Sequence, residues 1–263
     1  MFDQFKWYKT FLEQVNPVTM IFVAIAIFPL VVFIHNPNIM FYLVLAMLLA
    51  LFIFSGIKYH YLILMLIIVT FFSILSVTYM VLYGEGETTL FEWGIIHITE
   101  ESLMRGGHIL MRGFVMSLLG SLIIFTTKLT DVFYSLMQQL RLSPKFAYSF
   151  MAGIRMVPII FEEYLTLRRT RKVRSALVPG KYTRGLKGFI TLIVTLLAQS
   201  IRRAFRLGMA MESKGFTDGP RTYYYETRLS LNDVMFVVLI GSLIVLGFYL
   251  GMNVPIFKTI DVR

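Results

Sequence analysis

Long apolar runs and one long, basic, amphipathic block make up most of this chain of 263 residues. Apolar side chains dominate residues 17–34, 39–54, 61–82, 109–127 and 234–250. Each run is close to the roughly 20 residues with which a helix crosses about 30 Å of hydrocarbon. The pattern therefore predicts about five transmembrane helices.

The block between the fourth and fifth runs opens with a helix that begins at Ser143-Pro144, with serine as the N-cap and proline as the first helical residue. We expect Pro158 to bend this helix near its middle and Pro179-Gly180 to end it. At 1.5 Å per residue it would be about 48 Å long. Its apolar residues recur every three or four positions, as one face of a helix requires: Phe146, Phe150, Ile154, Val157, Phe161 and Leu165.

A second amphipathic helix repeats this plan and should stop at Gly215, before Thr217-Asp218-Gly219-Pro220. A shorter segment, residues 129–140, is expected to form a helix leading into the block. The second helix carries its apolar stripe at the same spacing: Ile190, Ile193, Leu197, Ile201, Phe205 and Met209.

The predicted fold class is all-α: a polytopic membrane protein with two or three long amphipathic helices on its cytoplasmic side. Residues 1–127 form a four-span transmembrane part, residues 128–230 a cytoplasmic helical domain, and residues 231–263 the last transmembrane helix and a tail. Composition agrees with a lipid environment, because 57% of residues are hydrophobic, only 15% are charged, and the mean hydropathy is +0.73.

The basic charge is concentrated in the amphipathic block. Residues 128–230 hold 18 of the 25 Lys and Arg residues against six acidic ones, a net charge of +12 in a chain of net +10. The positive-inside rule places this block in the cytoplasm. Counting spans then predicts a cytoplasmic N-terminus, an external C-terminus and an external acidic loop at residues 84–107. Arg112, near the start of the fourth run, either snorkels to the headgroups or is a functional intramembrane charge.

The sequence argues against an enzyme. It contains no G-x-x-x-x-G-K-[ST] phosphate-binding loop and no cysteine. The four histidines (His35, His60, His97 and His108) have no metal-ligand spacing, so we interpret them as interfacial or loop residues. Glu162 and Glu163 are adjacent and point about 100° apart on a helix, which is poor geometry for paired acid–base catalysis.

Other classes are also disfavoured. The spans carry almost no ionisable residues, whereas ion and proton pathways in membranes are usually marked by them. Nucleic acid is not an expected partner, because the basic helices carry apolar stripes and are bracketed by spans. Their surplus arginines suit anionic lipid better.

Each amphipathic helix ends in a short charged tripeptide, Val173-Arg174-Ser175 and Ser213-Lys214-Gly215. A cation in the last turn of a helix is favoured by the helix dipole, by a few tenths to about 1 kcal/mol. A single such residue is commonly just a helix-end cation. Its occurrence in two similar helices of one chain favours a functional role for both.

Residues 126–216 resemble the transmembrane coupling protein, or T component, of energy-coupling factor transporters, a class of ABC importers. The resemblance rests on Thr126-Thr127, the Arg155-Met-Val-Pro158 segment, Glu162-Glu163 and the two tripeptides, which lie where the family has Ala-Arg-Gly motifs. Asn16-Pro17 is similar to the family's N-terminal signature. The first tripeptide keeps only the arginine, and the second replaces arginine with lysine, which loses the bidentate fork.

The resemblance implies that the two long helices cross at the cytoplasmic face and that each tip contacts one of two ABC ATPase subunits. The contacting residues would be those of the two tripeptides, with Arg155, Pro158, Glu162 and Glu163 in structural or coupling roles. It also implies that the apolar faces hold a membrane-embedded substrate-binding S subunit for a vitamin or metal ion. Bound ATP and Mg²⁺ would belong to the ATPases, so this chain itself is expected to hold no cofactor or metal.

The alternative interpretation is a membrane-surface scaffold whose basic amphipathic helices lie on anionic lipid. Both interpretations place the chain in the plasma membrane, as a multi-pass protein. They differ in whether the helix ends bind soluble ATPases.

Overall fold

A computed structural model describes residues 6–8, 10–83, 88–93, 96–177, 185–217 and 222–257 of the chain. The chain divides into two compact units. The first, the membrane unit, comprises residues 1–135 and 227–263; the second, the helical-pair unit, comprises residues 136–226.

The membrane unit confirms the all-α, polytopic architecture predicted from the apolar runs. A 3-10 turn at Phe11–Gln14 leads into α1. Its helices and its one small hairpin have these bounds: α1 Pro17–Phe33, α2 Pro37–Phe54, α3 Tyr59–Tyr83, β1 Thr89–Trp93, β2 Ile96–Thr99, α4 Glu100–Thr126 and α8 Leu231–Asn253.

Local sequence sets the start of α1 and α2. Asn16 accepts a hydrogen bond from the Val18 amide at 3.0 Å, and Asn36 accepts one from the Asn38 amide at 2.9 Å. Each asparagine is followed by a proline at the first helical position, whose missing N–H is one that the helix could not satisfy anyway.

Five helices of the described chain are long and apolar enough to cross a membrane by length and composition: α2, α3, α4, α8 and the helix Leu186–Ser213, designated α7 below. Four of these coincide with predicted spans. The first predicted span, α1, has 17 residues and a length of about 26 Å, which is at the short end of the spanning range. The inclusion of α7 reflects its apolar N-terminal half, since Arg202, Arg203 and Arg206 occupy its C-terminal half.

The fourth span begins earlier than the apolar run suggested. We expected it near residue 109, after a loop that held Glu100 and Glu101, but α4 begins at Glu100. The reason is a capping box: the Ser102 amide donates to the Thr99 hydroxyl, and the Thr99 amide donates to the Ser102 hydroxyl, each at 3.1 Å. Part of the expected loop is instead the antiparallel β1–β2 hairpin; residues 84–87 and 94–95 lie outside the described residues.

The core of the membrane unit is built around α2, which packs against both α4 and α8. Its Leu43, Met47 and Leu51 side chains are almost completely buried. Two glycines of α8, Gly247 and Gly251, allow this close packing, since a Cβ on Gly251 would lie 2.7 Å from the Ile39 Cα. Their G-x-x-x-G spacing is the small-residue pattern with which membrane helices approach closely.

The helical-pair unit contains the two long helices predicted from the stripes. They are α6, Pro144–Leu177, and α7, Leu186–Ser213. The lead-in helix is also confirmed, as α5, Leu129–Gln139, whose first seven residues belong to the membrane unit. Pro144 is the first residue of α6, as predicted, and α6 continues to residue 177; the stop predicted at Pro179-Gly180 and the Asp218-Gly219-Pro220 segment lie outside the described residues. The bend predicted at Pro158 stays a prediction.

Candidate coupling site

Small residues, and not the apolar stripes, line the space between helices α6 and α7. A cleft of about 270 Å³ between them is lined by Ser149 and Gly153 of α6 and by Ala204 and Gly208 of α7, with larger apolar neighbours such as Met156. Both helices thus present small residues four positions apart. This small-xxx-small pattern was the sequence signal for the contact, and a search for apolar stripes alone missed it.

The two helices run antiparallel, as three contacts along their length show. Near one end the Tyr148 and Phe216 rings meet edge to face at 5.8 Å between centroids. In the middle the Arg203 guanidinium pairs with the Glu163 carboxylate. Near the other end the Arg171 guanidinium donates to the Gly188 carbonyl.

The first tripeptide lies at the C-terminal end of α6. Arg174 is in the last turn and exposed, and Val173 is 61% exposed. The Ser175 hydroxyl donates back to the Lys172 carbonyl at 2.8 Å, which leaves the surface of this tip to the valine and the arginine.

The second tripeptide forms the end of α7. Ser213 is the last helical residue and Lys214 is the C-cap. Gly215 has a positive φ of 72°, and the Phe216 amide donates to the Met211 carbonyl at 3.0 Å, which completes a Schellman motif. The predicted stop at Gly215 is therefore confirmed, and the motif holds the exposed Lys214 at the helix tip.

The antiparallel arrangement separates the two cationic tips. Lys214 lies at the Tyr148 end of α6, and Arg174 lies 26 residues farther along the same helix. At 1.5 Å per residue this corresponds to about 39 Å along α6. The structure thus does not bring the two tripeptides together, and a single small partner could not contact both.

Most residues of the two apolar stripes are exposed, and none of them lines the cleft between α6 and α7. Phe146, Phe150, Val157 and Phe161 are each about 60% exposed on α6, and the six stripe residues of α7 are exposed as well. An exposed apolar surface of this size marks a face that binds another protein or the membrane.

The remaining predicted residues of α6 divide into one that is used within the chain and three that are exposed. Glu163 is half-buried and pairs with Arg203, which sequence reasoning did not single out because it lies 40 positions away. Arg155, Pro158 and Glu162 are all exposed.

The signature residues of the membrane unit form a buried polar cluster at the N-terminus of α1. The backbone N–H of Asn16 donates to the Asp233 carboxylate at 2.7 Å. The same carboxylate accepts from the backbone N–H of Ser230 at 2.5 Å. Asp233 is 4% exposed. One carboxylate therefore joins the N-termini of α1 and α8, where negative charge is favoured. The sequence showed Asn16 but not its partner, 217 positions away.

The predicted Thr126-Thr127 motif lies at the end of α4, next to α1. The Thr127 hydroxyl lies 3.0 Å from the Met20 sulfur, while the buried Thr126 hydroxyl donates to the Leu122 carbonyl of its own helix at 2.7 Å. These residues fix the end of α4 against α1 within the membrane unit.

One histidine prediction is wrong. His108 is not a loop residue but is buried within α4, where its Nε2 lies 3.0 Å from the Ile34 carbonyl. The Arg112 guanidinium donates to the same carbonyl at 3.2 Å, so it turns inward to the end of α1. His60 lies at the start of α3, and the side chain of His97 is outside the described residues. The described residues hold no group of three or more His, Asp and Glu side chains that could bind a metal ion.

Comparison with known proteins identifies relatives along most of the chain. Residues 8–225 match the model of the family described as CbiQ, cobalt transport protein. The chain is similar to energy-coupling factor transporter transmembrane proteins EcfT from several bacteria. It is 25% identical to that of Listeria innocua serovar 6a over 92% of this chain and 94% of the relative. It is 25% identical to that of Staphylococcus aureus over 92% and 93%, and 26% identical to that of Exiguobacterium sibiricum over 92% and 95%.

Proposed function

The chain belongs to the CbiQ family of transport proteins, as the transmembrane T component of an energy-coupling factor transporter, and we propose that it links two cytoplasmic ABC ATPase subunits to a membrane-embedded S subunit. In this role ATP binding and hydrolysis belong to the ATPases. The S subunit binds the imported vitamin or metal ion. This chain transmits the movement between them.

The observation that carries the proposal is the placement of the two cationic tips. Arg174 and Lys214 are exposed, each is at the end of a helix, and they lie at opposite ends of one antiparallel pair. Two separate soluble subunits can therefore each receive one tip. A basic tip that binds a protein groove is best matched by acidic residues there, because charge-assisted hydrogen bonds are the strong ones.

The exposed apolar stripes support a second, membrane-embedded partner. They lie on the faces of α6 and α7 that do not take part in the helix–helix contact, so a partner can bind there while the pair stays intact. The Glu163–Arg203 pair would keep the two helices in register while force passes between the partners.

A capture experiment tests the ATPase contacts. The detergent-solubilised chain, co-expressed with its two ATPase subunits, should retain both. Arg174→Ala combined with Lys214→Ala should weaken capture by about thirtyfold or more, since truncating one side of a buried charge pair costs 2–5 kcal/mol. Arg168→Ala, which removes another exposed arginine of α6, is the matched control and should leave capture unchanged.

If neither ATPase is captured by the unmodified chain, and the double variant transports as well as the parent in whole cells, the coupling role is wrong. Binding of the isolated chain to anionic vesicles in place of ATPases would then favour the membrane-surface scaffold.

The two tips should also be unequal. Arg174→Glu should reduce ATPase capture more than Lys214→Glu, because arginine can make the bidentate carboxylate contact that lysine cannot. Equal losses in a quantitative binding assay would contradict this ranking.

The proposed orientation places the N-terminus and the helical pair in the cytoplasm, following the concentration of basic residues in 128–230. Because the chain has no cysteine, single cysteines report sidedness without background. Thr88→Cys, on the hairpin side, should react with a membrane-impermeant maleimide in intact cells. Lys187→Cys in α7 should react only after the membrane is opened, and the reverse pattern would overturn the orientation.

A further inference from the structure

A groove in the membrane unit lies between α1, α3 and α4 and contains none of the residues proposed to contact the ATPases. Its volume is about 510 Å³, within the range of ligand pockets. Its walls are mainly apolar, with three serines and one charged residue, Arg112. The main apolar side chains are Phe28 and Val32 of α1, Ile68 and Phe72 of α3, and Ile109 and Met116 of α4.

Arg112 has incomplete polar contacts in this groove. Its Nη2 lies 3.2 Å from the Ile34 carbonyl and 3.3 Å from His108 Nε2. Its Nε is buried and has no hydrogen-bond acceptor. Within the described part of the chain, ion pairs join Lys6 to Glu13 and Arg203 to Glu163, and no carboxylate pairs with Arg112. The backbone carbonyls at the C-terminal end of α1 carry a partial negative charge, which therefore balances only part of the positive charge of the guanidinium.

The depth of Arg112 makes this lack of a counter-charge significant. It lies 14 residues before Thr126, or about 21 Å along α4, where the hydrocarbon region is about 30 Å thick. With Thr126, the last residue of α4, taken as one edge of the hydrocarbon region, Arg112 lies several ångströms inside the opposite edge, on the hairpin side. Intramembrane arginines are rare because they are costly, and they usually pair with another group or face a water-filled cavity.

We propose that this groove binds a single phospholipid, with the anionic phosphate at Arg112 and an acyl chain along the apolar walls. The phosphate supplies the missing negative charge, and a guanidinium matches its oxygens by a bidentate contact. Ser73 and Ser76 of α3 and Ser117 of α4 add hydroxyl groups to the lining of the groove. A lipid of the adjoining leaflet has both the charge and the apolar length that this groove requires.

Native mass spectrometry of the purified full-length chain in detergent tests the proposal. Titration with dioleoylphosphatidylglycerol should give one tightly bound lipid, at least tenfold tighter than dioleoylglycerol, which has the same chains without the phosphate. Arg112→Gln should reduce phosphatidylglycerol binding to the dioleoylglycerol level, and Arg112→Lys should reduce it partly. Arg105→Gln, about 10 Å farther toward the hairpin on the same helix, is the matched control and should bind as the parent does.

A second variant blocks the groove without touching the charge. A Cβ on Gly113 would lie 3.6 Å from the Ser73 hydroxyl, an ordinary contact, and the rest of the Gly113→Leu side chain should extend into the groove. This variant should lose the tight lipid while keeping its helix content by circular dichroism. Equal binding of the two lipids, unchanged binding to Arg112→Gln or Gly113→Leu, or an equal loss with Arg105→Gln would each overturn the proposal. So would a photo-crosslinker at position 72 that captures a protein and no lipid.

Discussion

Replacing Asp233 with alanine should destabilise the membrane unit far more than an ordinary surface substitution. The Asp233 carboxylate is 4% exposed and accepts hydrogen bonds from the Asn16 amide at 2.7 Å and the Ser230 amide at 2.5 Å. Without this carboxylate, the buried backbone N–H of Asn16 loses its acceptor, while the backbone N–H of the exposed Ser230 can donate to water.

The expected loss follows from these two contacts. A hydrogen bond to a charged group contributes about 1.5–3 kcal/mol, and the helix-start contact at Ser230 about 0.5–1 kcal/mol. Negative charge beside the N-termini of α1 and α8 adds a few tenths to about 1 kcal/mol for each helix. Together these terms predict a loss of about 3–6 kcal/mol. Asp233→Asn keeps one acceptor oxygen without the charge and should lie between the alanine variant and the parent.

Thermal unfolding in detergent, followed by circular dichroism, measures the effect. At about 2–4 °C per kcal/mol for a chain of this size, Asp233→Ala should lower Tm by roughly 10 °C. Hydrogen exchange should also speed up in peptides covering residues 16–20. The neighbouring Asn232→Ala removes only an exposed hydrogen bond to Gln14 and should change stability by about 0.5 kcal/mol or less.

An unchanged Tm and unchanged protection at residues 16–20 in Asp233→Ala would refute this reasoning. That outcome would mean that the cost of burying the carboxylate cancels the hydrogen bonds that it accepts.

Two further predictions concern helix packing. Gly251→Ala should lower the Tm of the purified chain by several degrees, because the new Cβ would lie 2.7 Å from the Ile39 Cα. The control is Gly241→Ala on the same helix, whose Cβ meets nothing within 4 Å and should leave Tm unchanged or raise it. Loss of Tm in both variants alike would contradict the packing argument. In the helical pair, a double-mutant cycle of Glu163→Gln and Arg203→Gln should give a coupling energy of about 1 kcal/mol, measured by ATPase capture or by unfolding. A coupling energy of zero would show that this half-buried ion pair does not hold α6 to α7.

Much of the fold follows from local sequence. The apolar runs predict the transmembrane helices because no other backbone arrangement except a closed barrel satisfies its hydrogen bonds in lipid. Pro144 and Gly215 define the start of α6 and the end of α7 because their effects depend on backbone geometry within one helical turn. The early start of α4 at Glu100 was also a local matter, but its capping box uses serine at Ser102 where glutamate is the usual signal.

The sequence proposes the candidate coupling residues one by one but not their arrangement. The tripeptides at Arg174 and Lys214 can be found in the sequence because each ends a periodic helix. Their placement at opposite ends of the pair depends on the antiparallel packing of α6 and α7, which no residue of either helix specifies alone. The stripes were identified as apolar, yet apolar periodicity does not distinguish a face that packs within the chain from one that awaits a partner.

Tertiary structure decided the polar contacts that join distant segments. Asn16 meets Asp233 across 217 positions, and His108 and Arg112 meet the Ile34 carbonyl across more than 70. Composition and periodicity cannot predict such contacts, because a buried polar group shows no pattern along the chain and is defined only by the acceptor that folding brings to it. The sequence by itself determined which segments are apolar enough to enter a membrane and which carry charge, since both depend on the free energy of transferring each residue from water. The partners of those charges were determined only when the helices packed.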